Sequence, residues 1–505
     1  MKKFYLTTAI AYVNAAPHVG HALEFVQADA LTRYHRANGD DVFFLTGTDE
    51  HGVKIYETAK EAGVETQKFV DLNAEKFMAL KDILLLSYDD FIRTTSDFHK
   101  KGAQKIWSKM NENGDIYKSI YKGNYCVGCE AFVPEKDLDN DGNCPVHKKK
   151  PKILEEENYF FKLSKYSDKI KKLIETDELL ILPQERKKEM LNLIGEDGLK
   201  DVSFSRPKSV LPWGISVPDD DSQVMYVWCD ALSNYITGIG YLEETEQFKK
   251  YWPCDAHLIG KDILRFHAGI WIGMLLSADV TVPKAIYVHG FVTSEGQKMS
   301  KTLGNVVNPL EYVEKYGAEA LRWFLLKEIL TMDDGDFGHK RFVEVYNSDL
   351  ANSFGNLVNR VVMMTERYLD AKVPSVTSNG VVMDKLAGFV KEYENGFESF
   401  DLKKACEALV SVVDFGNKYI DENKPWVLAK ENDLKKLRNV LYDLLEILRF
   451  AGMMAYPIFP KTSLKILDQI GCSFEKNIKF EFKWGGLKEG NVVKKADVLF
   501  PRVEK

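Results

Sequence analysis

The stretch Ala11-Tyr12-Val13-Asn14-Ala15-Ala16-Pro17-His18-Val19-Gly20-His21 decides how the rest of the chain is read. Ahead of it runs an apolar segment, Phe4 to Ile10, of the length of a buried parallel strand. After it Leu23, Val26, Ala30 and Tyr34 recur at helical spacing up to Asn38-Gly39, a C-terminal stop signal. A strand therefore feeds a turn at Pro17, and His18 to His21 stand where a helix begins. Unpaired backbone N–H groups and the positive end of the helix dipole make such a place an anion site. The same field disfavours imidazolium, so both histidines are expected to be neutral N–H donors rather than bases. Gly20 between them lets a flat ring or a phosphate approach the backbone. Taken alone, the stretch also fits an ordinary strand-to-helix turn that happens to carry two histidines.

A second stretch narrows the choice. Gly296-Gln297-Lys298-Met299-Ser300-Lys301-Thr302 follows the strand-like run Ile286 to Gly290, and its two lysines lie between Gly296 and Gly304. Such a loop can act as a mobile cationic clamp on phosphates. His-Val-Gly-His early and Lys-Met-Ser-Lys-Thr late together resemble the two signatures of class I aminoacyl-tRNA synthetases. Within that class, nearly the whole chain resembles the methionyl-tRNA synthetase family. Thr302 stands where the family usually has serine and keeps the hydroxyl. The resemblance implies an α/β fold: a Rossmann-like parallel-sheet catalytic domain with a zinc-knuckle insertion, followed by an α-helical bundle that binds the anticodon.

Length and composition agree with that outline. The 505 residues have room for three or more structural units, and 45% hydrophobic with 28% charged residues is ordinary for a soluble protein. No apolar run reaches the length of a membrane span, and Met1-Lys2-Lys3 leads straight into a strand rather than a signal peptide. A net charge of −7 is compatible with a tRNA partner, which needs only a local basic face. Seven cysteines, three of them clustered, point to a reducing compartment and a metal rather than disulfides. A cytoplasmic location is expected.

Along the chain, residues 1–115 read as the first half of the catalytic domain, with a strand from Asp41 to Thr46. Cys126-x2-Cys129 and Cys144-x2-His147 follow as two knuckles. Three thiolates and an imidazole suit tetrahedral zinc, and four protein ligands leave no open position, so the zinc is expected to be structural. Asp139-Asn140-Asp141-Gly142 between the knuckles lacks the terminal glutamate of a calcium loop and reads as a hairpin tip. Residues 116–220 are thus an insertion. By resemblance it has room for a zinc-stapled cap and not for the larger editing domain of the isoleucine, valine and leucine enzymes. The parallel sheet is expected to resume at Gln223 to Trp228, within a second catalytic half over 221–302.

Loops at the carboxyl ends of parallel strands hold ligands. Asp49, after the second strand, is therefore placed to meet what His18 and His21 meet, although on local grounds it reads equally well as a helix N-cap. Trp228, Ala231 and Tyr235 share a helix face and could as well be core aromatics. The resemblance makes Asp49 the partner of the methionine α-amino group. It assigns Trp228, Ala231, Leu232 and Tyr235 to the wall of a methionine pocket, completed by Ala9, Ile10, Tyr12, Ile263 and His267. Leu232 departs from the proline usual after the alanine. An unbranched, polarisable thioether suits aromatic surroundings. The resemblance places ATP against His18, Gly20, His21, Glu24, Gly260, Asp262, Val292 and Lys301. Asp262 is suited to accept from ribose hydroxyls.

Residues 303–345 resemble a stem-contact module, and 346–505 an anticodon-binding bundle with periodic segments over 382–421 and 432–455. Asn352, Asn356 and Arg360 recur every four residues, a stripe that would ordinarily be a solvated face. By resemblance it reads the anticodon, with Pro425 and Trp426 opposite, the indole offering a stacking surface. No appended dimerisation domain follows Lys505, which favours a monomer.

The implied activity is methionine–tRNA ligation. Methionine is activated with ATP and Mg²⁺, with His18, His21, Lys298 and Lys301 as the catalytic set, and passed to the 3′ end of tRNA(Met), initiator tRNA included. The rivals are another class I synthetase, a smaller nucleotidyltransferase with similar His-x-Gly-His chemistry, and a non-catalytic tRNA-binding paralogue. A closed zinc site, the helical extension and two intact signatures argue against each in turn.

Overall fold

The computed structural model describes residues 2–127, 131–133, 135–146, 148–299, 304–375, 378–472, 474, 478–495 and 498–503. Cys129, His147, Lys301 and Thr302 lie outside the described residues.

The strand β1 (Lys3–Thr8) is buried and pairs in parallel with β3 (Asp41–Asp49), Thr7 facing Leu45. The short strand β2 (Ala11–Tyr12) resumes pairing along β3 with Ala11 opposite Thr48, one residue out of step. The extra residue makes a bulge at Ala9–Ile10, where the predicted continuous strand to Ile10 is broken. A bulge of this kind turns side chains toward a site at the end of a sheet. From there α1 (Val19–Ala37) runs back, ending at the expected Asn38. The other side of β3 pairs in parallel with β4 (Asp90–Arg93).

The seven-stranded sheet continues from β1 through the strands Ala256–Gly260 and Ala285–His289 to the edge strand Leu180–Leu182, all pairs parallel. This differs from the sequence reading in two places. The parallel sheet resumes at Ala256, not at Gln223 to Trp228; the strand Asp220–Met225 sits in a three-stranded antiparallel sheet with Ser205–Pro207 and Ser216–Val217. The stretch 116–220 also gives the parallel sheet its last strand. It also forms a four-stranded antiparallel sheet dominated by the long pairing of Ile116–Cys126 with Lys152–Phe161, and carries the helices Ser167–Glu175 and Gln184–Ile194. Alternation of apolar and polar residues marks a strand but not its partner's direction, which explains the misplacement.

Beyond the catalytic half, the helices Gly380–Glu398, Leu402–Asn423 and Leu434–Ala455 form the bundle. The tail is strapped across them. In a buried ion pair, Glu446 accepts from Gly485 N–H and Leu487 N–H, and Arg449 donates to the carbonyls of Glu481 and Lys483. Phe480 N–H then reaches the carbonyl of Ala37, at the end of α1. A second buried ionic centre joins the halves: Asp29 on α1 meets Arg322 at 2.7 Å and Arg33 at 2.7 Å. Among the described residues no helix is long and apolar enough to cross a membrane.

Candidate active site

A cavity of about 370 Å³ opens at the carboxyl end of the sheet, bordered by Ala9, Ile10, Tyr12, His18, His21 and Glu24, and on its far side by Asp262, Val292 and Lys298. The two histidines are set by the backbone at the start of α1. Gly20 N–H donates to His18 Nδ1 at 3.1 Å, and His18 N–H donates to His21 Nδ1 at 3.2 Å. A backbone N–H can only donate, so each Nδ1 accepts and each ring carries its proton on Nε2. Burial holds both rings neutral, with His18 lowered to about 4 and His21 pushed well down by burial and by its neighbours His18 and His289. Gly20 serves this geometry directly: a Cβ there would stand 2.9 Å from His18 Cε1. The close approach is thus the histidine's own ring folding back over the turn.

Glu24, one turn along α1, bonds His289 Nε2 at 2.9 Å, while His289 Nδ1 donates to the carbonyl of Gly290 at 2.8 Å. A carbonyl only accepts, so His289 Nδ1 carries a proton and the contact of Nε2 with the Glu24 carboxyl needs another between them. Desolvation raises the Glu24 pKa, and the Glu24 bond outweighs desolvation to raise that of His289. His289 was not singled out from sequence, although its place at the carboxyl end of a parallel strand is where ligands gather. Gly290 after it is required by packing, since a Cβ would fall 2.1 Å from the backbone of Asp333.

The near side of the lysine loop is a β-hairpin. Val292–Ser294 and Gln297–Lys298 form a hairpin through Glu295 and Gly296, both at positive φ, as a tight two-residue turn demands. Gly335–Phe337 pairs with the hairpin, and Lys298 Nζ lies 5.6 Å over the Phe291 ring at the cavity wall. Past the loop, Val307 C=O accepts from Val19 N–H at 3.0 Å, joining the two signature stretches.

Of the residues assigned to methionine, Ala9, Ile10, Tyr12 and Ile263 border this cavity. Asp49, Trp228, Ala231, Leu232, Tyr235 and His267 do not; Leu232 and Tyr235 belong to a core cluster against which Ala9, Ile10, Tyr12, Trp228 and Ile263 pack. Asp49 stands beside Tyr12 in the β2–β3 pairing. Trp228, at the start of the helix Val227–Thr237, stacks on Phe266 with ring centres 3.9 Å apart. His267 Nδ1 donates to Ile263 C=O at 3.0 Å, and burial lowers its pKa to about 4, so its neutral Nε2 accepts from the Tyr235 hydroxyl at 2.7 Å. Phe266 had no sequence signal beyond its neighbourhood. The chain leaves the strand Ala256–Gly260 through a tight 3₁₀ turn, Lys261–Ile263, which carries Asp262.

In the helical half, Asn352 lies in a π-helical segment, Tyr346–Gly355, and Asn356 and Arg360 lie on the α-helix that continues it. Arg360 Nη2 holds Asp421 at 2.7 Å, and Asn352 Oδ1 accepts from Arg502 at 2.7 Å. Pro425 is buried and Trp426 is 44% exposed, a large indole left facing out. In the insertion, Cys126 and Cys144 are buried together in a minute core with Val133, Leu138 packing against it.

A parallel sheet with paired imidazoles at the first helix start and a lysine hairpin across the cavity defines a class I synthetase. The family model "tRNA synthetases class I (M)" matches residues 4–149 and 135–362, and "Anticodon binding domain of methionyl tRNA ligase" matches 373–505. A methionine–tRNA ligase of Caldanaerobacter subterraneus subsp. tengcongensis is 44% identical over 509 residues, all of this chain and 79% of that relative. One of Thermotoga maritima is 42% identical over 99% of this chain and 80% of its own length. The Mycobacterium tuberculosis methionyl-tRNA synthetase in complex with methionyl-adenylate superposes with a TM-score of 0.94 at 38% identity, covering 99% of this chain and 100% of that one. The chain belongs to the methionyl-tRNA synthetase family.

Proposed function

We propose that the protein activates L-methionine with ATP and transfers it to the 3′-terminal adenosine of tRNA(Met), initiator tRNA included, in the cytoplasm. The observation that carries this reading is the pair of neutral imidazoles at the head of α1, each with Nδ1 engaged by backbone and Nε2–H left as a donor on the cavity shared with Lys298. Methionine carboxylate attacks the α-phosphorus, the bond to the bridging oxygen breaks, and pyrophosphate leaves. His18 and His21 donate to phosphate oxygens as charge accumulates, and Lys298 with Lys301 receives the pyrophosphate. Such chemistry needs alignment and charge stabilisation more than a protein nucleophile. Mg²⁺ carried with ATP shares the pyrophosphate charge. Glu24, fixed by His289, and Asp262 face the ribose; Gly260 and Val292 border the nucleoside. Asp49 takes the α-amino group, and Ala9, Ile10, Tyr12, Ile263 and the Trp228–Tyr235 layer enclose the thioether. In the second step the terminal adenosine hydroxyl attacks the methionyl carbonyl and AMP leaves.

We assign a structural zinc to Cys126, Cys129, Cys144 and His147. Among the described residues only Val133 and Leu138 pack with Cys126 and Cys144, and a metal would staple so small a core. One zinc per chain is expected by metal analysis, and its chelation should lower the melting temperature of the cap without abolishing the exchange reaction in one step. Purified protein without zinc, or equally stable after chelation, would contradict the assignment.

The tRNA half of the reading is tested at Trp426. Losing an indole that stacks on a splayed anticodon base should cost about 1–3 kcal/mol in kcat/KM for tRNA. Trp426→Ala should leave methionine-dependent pyrophosphate exchange unchanged, because the residue lies far from His18 and outside the cavity. Normal charging by this variant, or a parallel fall in exchange, would reduce Asn352, Asn356, Arg360, Pro425 and Trp426 to an ordinary packed surface.

A further inference from the structure

We infer that Asp230 is a positioning residue for methionine. It ties the segment just after Asp49, the last residue of β3, to the helix that carries Trp228, Ala231, Leu232 and Tyr235, so the ammonium site and the thioether wall act as one unit. This rests on the assignment of Asp49 to the α-amino group made above.

Asp230 is 1% exposed, and a carboxylate so placed must be paired. His51 Nδ1 lies 2.6 Å from one oxygen and His99 Nε2 2.8 Å from the other. Desolvation alone would raise this carboxyl; electrostatic attraction and hydrogen bonds from His51 and His99 outweigh it and hold the pKa at about 2. Its place in the first turn of the helix Val227–Thr237 favours the anion as well. An ionised carboxylate only accepts, so the proton of His51 is fixed on Nδ1 and that of His99 on Nε2. His99 Nδ1 lies 2.8 Å from the Thr237 hydroxyl, which also reaches Asn234 C=O at 3.4 Å. None of these groups borders the reaction cavity.

His51 is two residues from Asp49, and the residue between them is clamped from another side. Arg93 forks onto Glu50 at 2.7 and 2.9 Å, Thr48 donates to it at 2.7 Å, and Trp213 Nε1 donates to its carbonyl at 2.7 Å. The loop after β3 is thus held by β4 through Glu50 and by the pocket helix through His51. A buried ionic network is seldom more stabilising than apolar packing of the same volume. What it supplies here is a fixed distance between two parts of one subsite.

The test is steady-state methionine-dependent pyrophosphate exchange with Asp230→Asn. An amide must turn its NH₂ toward one of the two imidazole N–H groups, which forces that ring to change tautomer and releases the tie. The KM for methionine should rise about ten-fold or more, the scale of a misplaced binding group, while the KM for ATP stays as it was. His51→Ala should show the same selective loss. His51→Asn, which puts an amide N–H where Nδ1–H stood, should recover most of it. If Asp230→Asn does not fold, the two His51 variants carry the test alone. Combined with Asp49→Asn, Asp230→Asn should add nothing further, because it acts through Asp49. An unchanged methionine KM, a parallel rise in both KM values, no recovery in His51→Asn, or additive effects with Asp49→Asn overturns the inference. Should Asp49→Asn by itself leave the methionine KM unchanged, the assignment of Asp49 is what fails, and the route through it fails with it.

Discussion

Replacing His21 with alanine is expected to lower kcat for methionine-dependent ATP–pyrophosphate exchange by about 10²–10³-fold, the loss seen when one preorganised donor to a developing charge is removed. The expectation follows from how the ring is held. His18 N–H fixes His21 Nδ1, and the two rings lie 4.0 Å apart, so Nε2–H is aimed before substrate arrives and nothing reorganises during reaction. His18 remains as a single donor in the variant, which is why activity should fall and not vanish. The same burial has a consequence for stability. The folded-state pKa of His18 lies near 4, below the unfolded value of 6.5, so its contribution is complete above 6.5 and is lost as pH falls toward 4. If His21→Ala raises only the KM for ATP and keeps kcat, the ring binds the ground state and the transition-state role is wrong.

Arg322→Ala should destabilise the fold by about 3–5 kcal/mol, the usual cost of leaving one member of a buried ion pair alone. Arg322 is fully buried. Its guanidinium donates to Ile458 C=O at 2.8 Å, Pro457 C=O at 2.7 Å and Leu84 C=O at 3.1 Å, besides meeting Asp29. Removing it strands three carbonyls and takes from the Asp29 carboxylate one of its two guanidinium partners, where catalytic and helical halves meet. Asp29 would keep only Arg33 and the Ser87 backbone and hydroxyl donors. Chemical denaturation of the variant beside the parent measures the loss; a change within the error of the midpoint would show that water or Arg33 takes over. Because Asp29 lies on the helix headed by His18, this junction links the body of the molecule to its reaction cavity.

The local features were legible in the sequence because they are periodic. The helix Val19–Ala37 and the bundle helices follow hydrophobic spacing, as does the shared face of Trp228, Ala231 and Tyr235 on the helix Val227–Thr237. The two signature stretches were legible as chemistry before any geometry. What escaped was set by contacts distant in sequence. His289 meets Glu24 across 265 positions, and His51 meets Asp230 across 179. No window of sequence contains both partners. The edge strand Leu180–Leu182 is too short for a periodicity signal, and the bulge at Ala9–Ile10 looks like continued strand. The π-helical segment at Tyr346–Gly355 likewise leaves the four-residue polar stripe unaltered on paper while changing the turn beneath Asn352.

The most direct measurement is ATP–pyrophosphate exchange supported by each of the twenty amino acids in turn. The account predicts rapid exchange with methionine, feeble exchange with leucine, and none above background with the rest. Leucine as effective as methionine would remove the pocket assignment, and exchange driven by a different amino acid, or by none, would contradict the account at its centre.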